Sequence, residues 1–425
     1  MLRTQRLRRS NNSESFYQDT KGCRVFAIRQ PSMYIRRRSC YNTMEIQTIY
    51  KGKYDVIVVG GGIAGVAAAV SAARNGASVL LVEKQVNLGG LATMGLISWY
   101  EPLCDGKGQQ MIYGIAEELI RLSAKYCFDN LPAQWGGTSG NPPKHPSSPR
   151  FSTLFSPTVF SAALDEFVLD SGARIRFDSR ATWPVMEGNV CRGIIVESVS
   201  GAELFEAKAI VDATGDATVM HRAGVPTVEG ENFLTYLVHM YDTDGAKKLA
   251  ETGNTVAFRR WMNRGSNLEG HGHPQGMGML KGVTAEEVTD YILTGKRMML
   301  DYLKTLDRGS YDVMTLPSMP QFRKIRRIVG KCDFTAVDGR TFADSIGACG
   351  DFRSEGIGNH YQIPFGALYN EKFPNLLAAG RIISAPDGDG WEVARVIPTC
   401  ALTGEAAGKA AAMLAVQGVP MEKCY

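Results

Sequence analysis

The sequence predicts an α/β protein: a nucleotide-binding domain built on a parallel sheet with a β-meander, interrupted by an inserted α+β domain. Three observations carry this expectation. Residues 54–84 read as strand, glycine-rich turn, helix and strand. Three short strands then lead to a second strand-to-helix turn, Ala213-Thr214-Gly215-Asp216. After a long stretch without such a pattern, a third strand–turn–helix segment begins at Asn375.

The first unit is the most specific. Residues 55–59 are a β-branched run suited to a buried strand. Gly60, Gly62 and Gly65 follow in the spacing G-x-G-x-x-G: the first permits a tight turn, the second close approach to a pyrophosphate, the third close packing of helix on strand. Ile63 and Ala64 open the helix, whose unpaired N–H groups and dipole favour an anion. The second strand spans residues 78–82, and Glu83 follows 18 residues after Gly65, where a carboxylate can accept from ribose hydroxyls. Lys84 stands beside it. The unit specifies ADP-ribose and leaves NAD and FAD unseparated; a glycine-rich turn in an unrelated α/β protein is the alternative reading.

Composition narrows the class. A chain of 425 residues, 44% apolar and 21% charged, can form two domains. Its net charge of +4 is uneven: residues 1–43 hold ten Lys/Arg against Glu14 and Asp19, so the remainder is mildly acidic and gives no reason to expect nucleic acid or an anionic membrane as partner. The nine cysteines form no C-x-x-C and no metal-like cluster, which points to reduced thiols and a cytoplasmic protein. No uninterrupted apolar run reaches the length of a membrane span. Residues 1–50 are basic and are expected to be a disordered or spurious extension ahead of Met44; an Arg-rich mitochondrial transit segment is the alternative.

After Glu83, Gly89 and Gly90 allow a further close backbone approach and Thr93 offers a hydroxyl. An amphipathic helix is expected over residues 109–125, and a lid-like loop rich in Pro, Gly and Ser over 129–152, with His145 solvated in it. A helix over 156–171 and a strand over 173–177 come next. Strands over 180–186, 190–199 and 203–207 form the meander, followed by a separate strand over 209–212 and the turn with Ala213 and Gly215. This closes the first part of the nucleotide domain, residues 51–224.

Residues 225–370 contain no second G-x-G-x-x-G and are assigned to a substrate domain. A strand over 234–242 and a helix over 284–306, with Thr284 as N-cap and Glu287 three residues on, are expected there. His271 and His273 could share a metal, but only Glu269 adjoins them, so a mobile loop is preferred and no metal is expected. Arg323, Arg326 and Arg327 are either a solvated basic strand or holders of a substrate carboxylate. His360 can exchange a proton near neutral pH; a structural histidine is the equal alternative. Residues 371–425 complete the nucleotide domain. Gly380 and Arg381 follow its last strand, and Pro398 and Thr399 open a helix carrying Ala401 and Leu402 and a small-residue stripe of Gly404, Ala407, Gly408 and Ala411. Glu392 and Arg395, just before it, face the substrate or pair with each other.

These motifs, in this order over about residues 54–418, resemble bacterial FAD-dependent oxidoreductases with a glutathione-reductase-type FAD-binding domain. The resemblance implies a Rossmann-like fold with FAD as cofactor, the Gly89-Gly90 loop wrapping it, Ala213 and Gly215 beside its ADP half, and Gly380, Arg381, Ala401 and Leu402 near its isoalloxazine. It extends to FAD subunits of heterodisulfide reductases, whose cysteine clusters this chain lacks. The implied activity is hydride transfer between flavin N5 and a small polar organic substrate, with an external electron donor or acceptor because no NAD(P)H domain is built in. His360, Glu392 and Arg395 are the catalytic candidates. A flavin monooxygenase and an electron-transfer subunit of a larger complex are the alternatives, and a homo-oligomer remains open.

Overall fold

The computed structural model describes residues 14–18, 24–28, 32–38, 43–126, 131, 135, 151–253, 255–267, 269–386 and 388–425. His145 and most of the expected lid-like loop lie outside them. Strands β1 (Glu14–Gln18), β2 (Arg24–Ile28) and β3 (Ser32–Arg38) precede β4 (Thr43–Val59). They fall within residues 1–50, the stretch expected to be a disordered or spurious extension. Their aromatic and β-branched residues favour extended backbone; β1 pairs with β2, and β3 with β4, both antiparallel. Met44 lies inside β4.

Helix α1 (Ile63–Arg74) and β5 (Val79–Val82) complete the first unit. Strand β6 (Trp99–Tyr100), α2 (Ile115–Lys125), β7 (Thr153–Leu154), α3 (Pro157–Asp170) and β8 (Arg174–Arg176) follow. Helix α2 starts later than its apolar stripe predicts, because Gly114 takes φ +63° and breaks the helical run. The meander is β9 (Arg180–Glu187), β10 (Val190–Ser198) and β11 (Gly201–Asp212). The expected strands over 203–207 and 209–212 are one continuous β11, since Lys208 between them carries no turn signal. Helix α4 (Thr218–Ala223) leads into the insertion: β12 (Thr227–Glu229), β13 (Thr235–Asp242), α5 (Thr243–Thr252), β14 (Arg260–Gly265), α6 (Ala285–Leu303), β15 (Tyr311–Thr315), β16 (Arg326–Ile328), β17 (Ser345–Gly350) and β18 (His360–Pro364). Then come β19 (Leu376–Ala378), α7 (Asp389–Ala394) and α8 (Ile397–Ala412).

The main sheet runs β8-β5-β4-β11-β10-β9, with β19 also on β11 and β3 on β4. Strands β8, β5, β4, β11 and β19 are mutually parallel and β11-β10-β9 is the antiparallel meander. This is the expected α/β, Rossmann-like arrangement. It brings the carboxyl ends of β4, β5, β11 and β19 to one edge, where the glycine turns lie.

Helix α8 closes the arrangement by lying on α1. A Cβ on Gly404 would overlap the Ala64 carbonyl oxygen, and one on Gly408 the Ala68 carbonyl oxygen. The two glycines and two alanines, each pair four residues apart, let the backbones meet with no side chain between them. The variant Gly408→Leu is therefore expected to lose about 3 kcal/mol of stability through overpacking, read as a lower urea midpoint; an unchanged midpoint would contradict this packing.

The insertion has its own core of Leu234, Tyr236, Val238, Met262, Tyr291, Phe322 and Ile325 between β13-β14-β15 and α6. Thr284 caps α6 by accepting from the Glu287 amide at 3.2 Å. From Ile328 onward, Phe334, Tyr361, Ile363 and Phe365 pack in the first core instead. The separate core thus ends well before the expected limit at residue 370. In the glycine-rich loop, His273 Nδ1 accepts from the Leu234 amide at 3.0 Å, so Nε2 carries the proton and donates to Met277 O at 3.0 Å. Both nitrogens serve loop structure.

Candidate active site

The sheet edge opens into a cleft with about 1160 Å³ of space between its walls, solvent at its mouth included. Its floor is the glycine turn. Gly60 takes φ +100° and passes under Ala213; a Cβ on Gly65 would overlap the Gly60 carbonyl oxygen, so Gly65 sets the helix–strand distance and does not line the cleft. A Cβ on Gly62, by contrast, meets nothing within 4 Å: that position faces open space. Gly62 is the N-cap of α1, with no side-chain cap and no acidic residue in the first turn. Ile63 and Ala64, both largely buried, line the cleft beside it.

Glu83 is buried at the end of β5. Its carboxylate accepts from the Gly61 amide at 2.6 Å and the Gln85 amide at 2.8 Å. Two backbone bonds leave acceptor sites on a carboxylate, so it can also receive ribose hydroxyls. Gly89 donates to Gly61 O at 2.8 Å, and Gly90, with φ +57°, passes over Gly62. Both line the cleft, as does Lys84. Thr93 does not: its hydroxyl donates to Leu88 O at 2.5 Å and stays within its own loop.

The Ala213–Asp216 turn forms the opposite wall. Asp212, fully buried, holds it by accepting from the Thr214 amide and hydroxyl and the Met220 amide; burial pushes its carboxyl up to about 6. Gly215 has φ +76°, and a Cβ there would collide with the Arg381 guanidinium, which lies across it. Burial works to raise Asp216, but the Lys84 ammonium, hydrogen bonds from Thr218 and Thr214 and the Arg381 guanidinium hold its carboxyl below the ordinary value. Gly380 donates to Thr403 Oγ1 at 3.0 Å and turns the chain toward Arg381. Arg381 Nε is buried without a hydrogen-bond partner, and burial lowers its guanidinium from the ordinary value.

At the far end of the cleft are Met319, Arg395, Ile397 and Cys400. Ala401 and Leu402 are not on this wall, contrary to the expectation. Helical phase turns residues 397 and 400 toward the cleft, while Leu402 packs beside Gly347 of β17. Burial pushes the Cys400 thiol up to about 12, so it stays neutral.

A second, smaller cavity adjoins this end, lined by Asn232, Phe233, Thr235 and Arg323 of the insertion together with Glu392 and Arg395. Arg395 lines both cavities. It pairs with Glu392, which also lies 3.6 Å from Lys324 Nζ. Glu101, which sequence reasoning missed, lines neither cavity but lies behind the junction, bonded to Ile397. Its Oε2 accepts from the Ile397 amide at 3.3 Å, and burial raises its carboxyl to about 7 against the lowering effect of two amides, Arg395 and Arg323. The one signal in the sequence was a lone acid in an otherwise uncharged stretch, residues 98–103.

His360 is at neither cavity. Its Nε2 lies 3.2 Å from Asp105 Oδ2 and its amide donates to Asp338 at 2.7 Å, so the imidazole anchors β18. Of the three catalytic candidates the structure brings together Glu392 and Arg395 and leaves His360 outside.

Open space over Gly62, an uncapped helix start and the unsatisfied Arg381 Nε suit an extended, anionic dinucleotide. A profile of the family described as FAD dependent oxidoreductase matches residues 55–235 and 280–424, more than half of the chain. The chain belongs to the FAD dependent oxidoreductase family. This flavoenzyme uses FAD, and the residues above are those available to hold it. It is 26% identical over 216 residues to a digeranylgeranylglycerophospholipid reductase of Methanoculleus marisnigri, covering 49% of this chain and 51% of that protein. The flavoenzyme spans about half the length of the curated relatives it matches. Among solved structures it is similar to a geranylgeranyl bacteriochlorophyll reductase-like protein of Thermoplasma acidophilum, with 15% identity, 87% and 80% of the two chains covered and a TM-score of 0.43. It is also similar to a myxobacterial chondrochloren halogenase, with 15% identity, 88% and 78% covered and a TM-score of 0.49. Among the described residues no helix is long and apolar enough to cross a membrane.

Proposed function

We propose that this flavoenzyme transfers a hydride between FAD and a small polar organic substrate that occupies the second cavity, with an external donor or acceptor completing the cycle. Bound FAD supplies the two-electron centre. The observation that carries the reading is the junction at Arg395, where the polar cavity of the insertion meets the nucleotide cleft. A substrate there is held by the insertion at one end and reaches the cleft at the other. Arg395, fixed by Glu392, orients it, and Glu101 takes or gives the accompanying proton, since its carboxyl is raised to about 7. Glu101 replaces His360 in that role.

The relatives that are reductases support redox chemistry on an organic substrate. The cavity is lined by Asn232, Thr235, Arg323, Lys324, Glu392 and Arg395 beside Phe233 and Met279, which suits a small polar substrate better than the phospholipid in their name.

An absorption spectrum of the purified protein, followed by anaerobic titration with polar organic substrates, tests this reading. Flavin bands that bleach with one substrate are the expected result. A colourless protein that takes up no FAD on reconstitution refutes it. Bleaching by NAD(P)H alone, with oxygen-dependent hydroxylation of the substrate, would mark a monooxygenase instead; bleaching only through a second protein would mark an electron-transfer subunit.

A further inference from the structure

Three arginines occur close together in residues 323–327, and the structure separates their roles. Arg326 Nε lies 4.0 Å from Glu229, and Arg327 sits over the Trp391 ring at 5.8 Å. Arg323 alone of the three lines the second cavity. Its position is fixed from the backbone. Asn232, buried, accepts the amides of Arg323 and Lys324 at 2.9 Å each and donates to Leu280 O and Lys324 O. The Arg323 guanidinium itself makes no hydrogen bond or ion pair among the described residues.

The charges facing it do not balance. Arg323, Lys324 and Arg395 line the cavity, and of the acids there Glu392 is engaged with both Lys324 and Arg395. Glu231 is exposed at the rim. Glu101 approaches from the cleft side, where its bond is to the Ile397 amide. Arg395 Nε is also buried without a partner. Partly buried guanidinium groups without a matching carboxylate are costly, and an anionic ligand offsets that cost. A planar guanidinium matches a carboxylate through two parallel hydrogen bonds. Phosphate sites use clustered backbone amides; here the Arg323 and Lys324 amides are already taken by Asn232.

We propose that the second cavity recognises a carboxylate, so that the substrate is a small organic acid whose carboxylate is gripped by Arg323 while its reacting end lies at Arg395. Asn232 is the positioning residue for this grip. The proposal rests on the reading of the second cavity as the substrate site and names the class of substrate it admits. Phe233 and Met279 on the same wall accommodate a short apolar part of such an acid.

The test uses the full-length, FAD-loaded protein in phosphate-free buffer. Acetate, malonate, succinate and benzoate are titrated against it, each beside the matching primary amide, and the visible flavin spectrum is followed. At least one acid is expected to give a saturable shift that its amide does not give. The variant Arg323→Gln is expected to weaken that acid by about tenfold or more, Arg323→Lys to recover part of the loss, and Arg326→Gln to bind as the native protein does. An amide that binds as well as its acid overturns the proposal on the native protein alone, whatever the variants do. An acid that binds Arg323→Gln undiminished overturns it as well, and so does a flavin-loaded protein that responds to no acid. If the protein takes up no FAD, the flavoenzyme reading fails separately; thermal-shift titration with the same acids and amides then decides the Arg323 grip on its own.

Discussion

The variant Gly62→Ala is expected to fold normally and to lose its flavin. A Cβ at this position meets no protein atom within 4 Å, so the polypeptide tolerates it, and exchanging Gly for Ala at an N-cap changes stability by a few tenths of a kcal/mol to about 1 kcal/mol. The space it fills is the space over the uncapped start of α1, where the pyrophosphate must approach the backbone. FAD affinity should fall by about 100-fold, equivalent to about 3 kcal/mol. The companion variant Gly65→Ala behaves oppositely. Its methyl overlaps the Gly60 carbonyl oxygen, so the strand and helix must separate, and stability falls by about 3 kcal/mol with or without cofactor. Flavin-to-protein ratios and urea midpoints of the cofactor-free proteins distinguish the two. A Gly62→Ala protein that retains a full complement of FAD would remove the turn from the binding site.

The second large effect is expected at Glu101. Its carboxyl titrates at about 7 in the folded protein against an ordinary 4.5. Between those values the unfolded chain releases a proton that the folded chain keeps. The contribution of Glu101 to stability is therefore fully present below pH 4.5 and is lost as pH rises through about 7. Glu101→Gln abolishes that loss. Above pH 8 it should be more stable than the native protein by about 2 kcal/mol, allowing for the residue's partial exposure. Activity moves the other way. If Glu101 exchanges the substrate proton, the variant loses about 100-fold in the rate of substrate-driven flavin reduction. The limb of the native pH profile near 7 also disappears. A variant with native rates and a native pH profile would exclude Glu101 from the chemistry, and a flat stability difference across pH 4–9 would exclude the raised carboxyl.

Much of the cofactor side was legible in the sequence because its signals are local. Gly60, Gly62, Gly65 and Glu83 belong to one βαβ unit, and each is fixed by a steric or hydrogen-bonding demand of that unit. Gly89, Gly215 and Gly380 are likewise read from turns at strand ends. The substrate side depends on groups far apart in sequence. Glu101 acquires its raised carboxyl from burial and from its placement beside Ile397, Arg323 and Arg395, none of which is near it in the chain. His360 reads in the sequence as a proton exchanger or a structural histidine, and what separates the two is Asp105, 255 residues away. Leu402 missed the cleft for a different reason: the helix was foreseen, but its phase relative to the sheet is set by Gly404 and Gly408 resting on α1. The fused strand β11 shows that a missing turn residue outweighs a change in apolar pattern.

The contact between α1 and α8 also bears on how the molecule comes into being. Ser71 of α1 bonds the carbonyl of Glu405 of α8 across a sequence separation of 334 residues. During synthesis the helix that receives the pyrophosphate leaves the ribosome early, and the surface that braces it leaves late. Contacts of such long range delay the completion of a fold. The first nucleotide-binding unit therefore spends most of translation as an unbraced element, and the finished cradle is a product of the assembled chain, not of its opening segment.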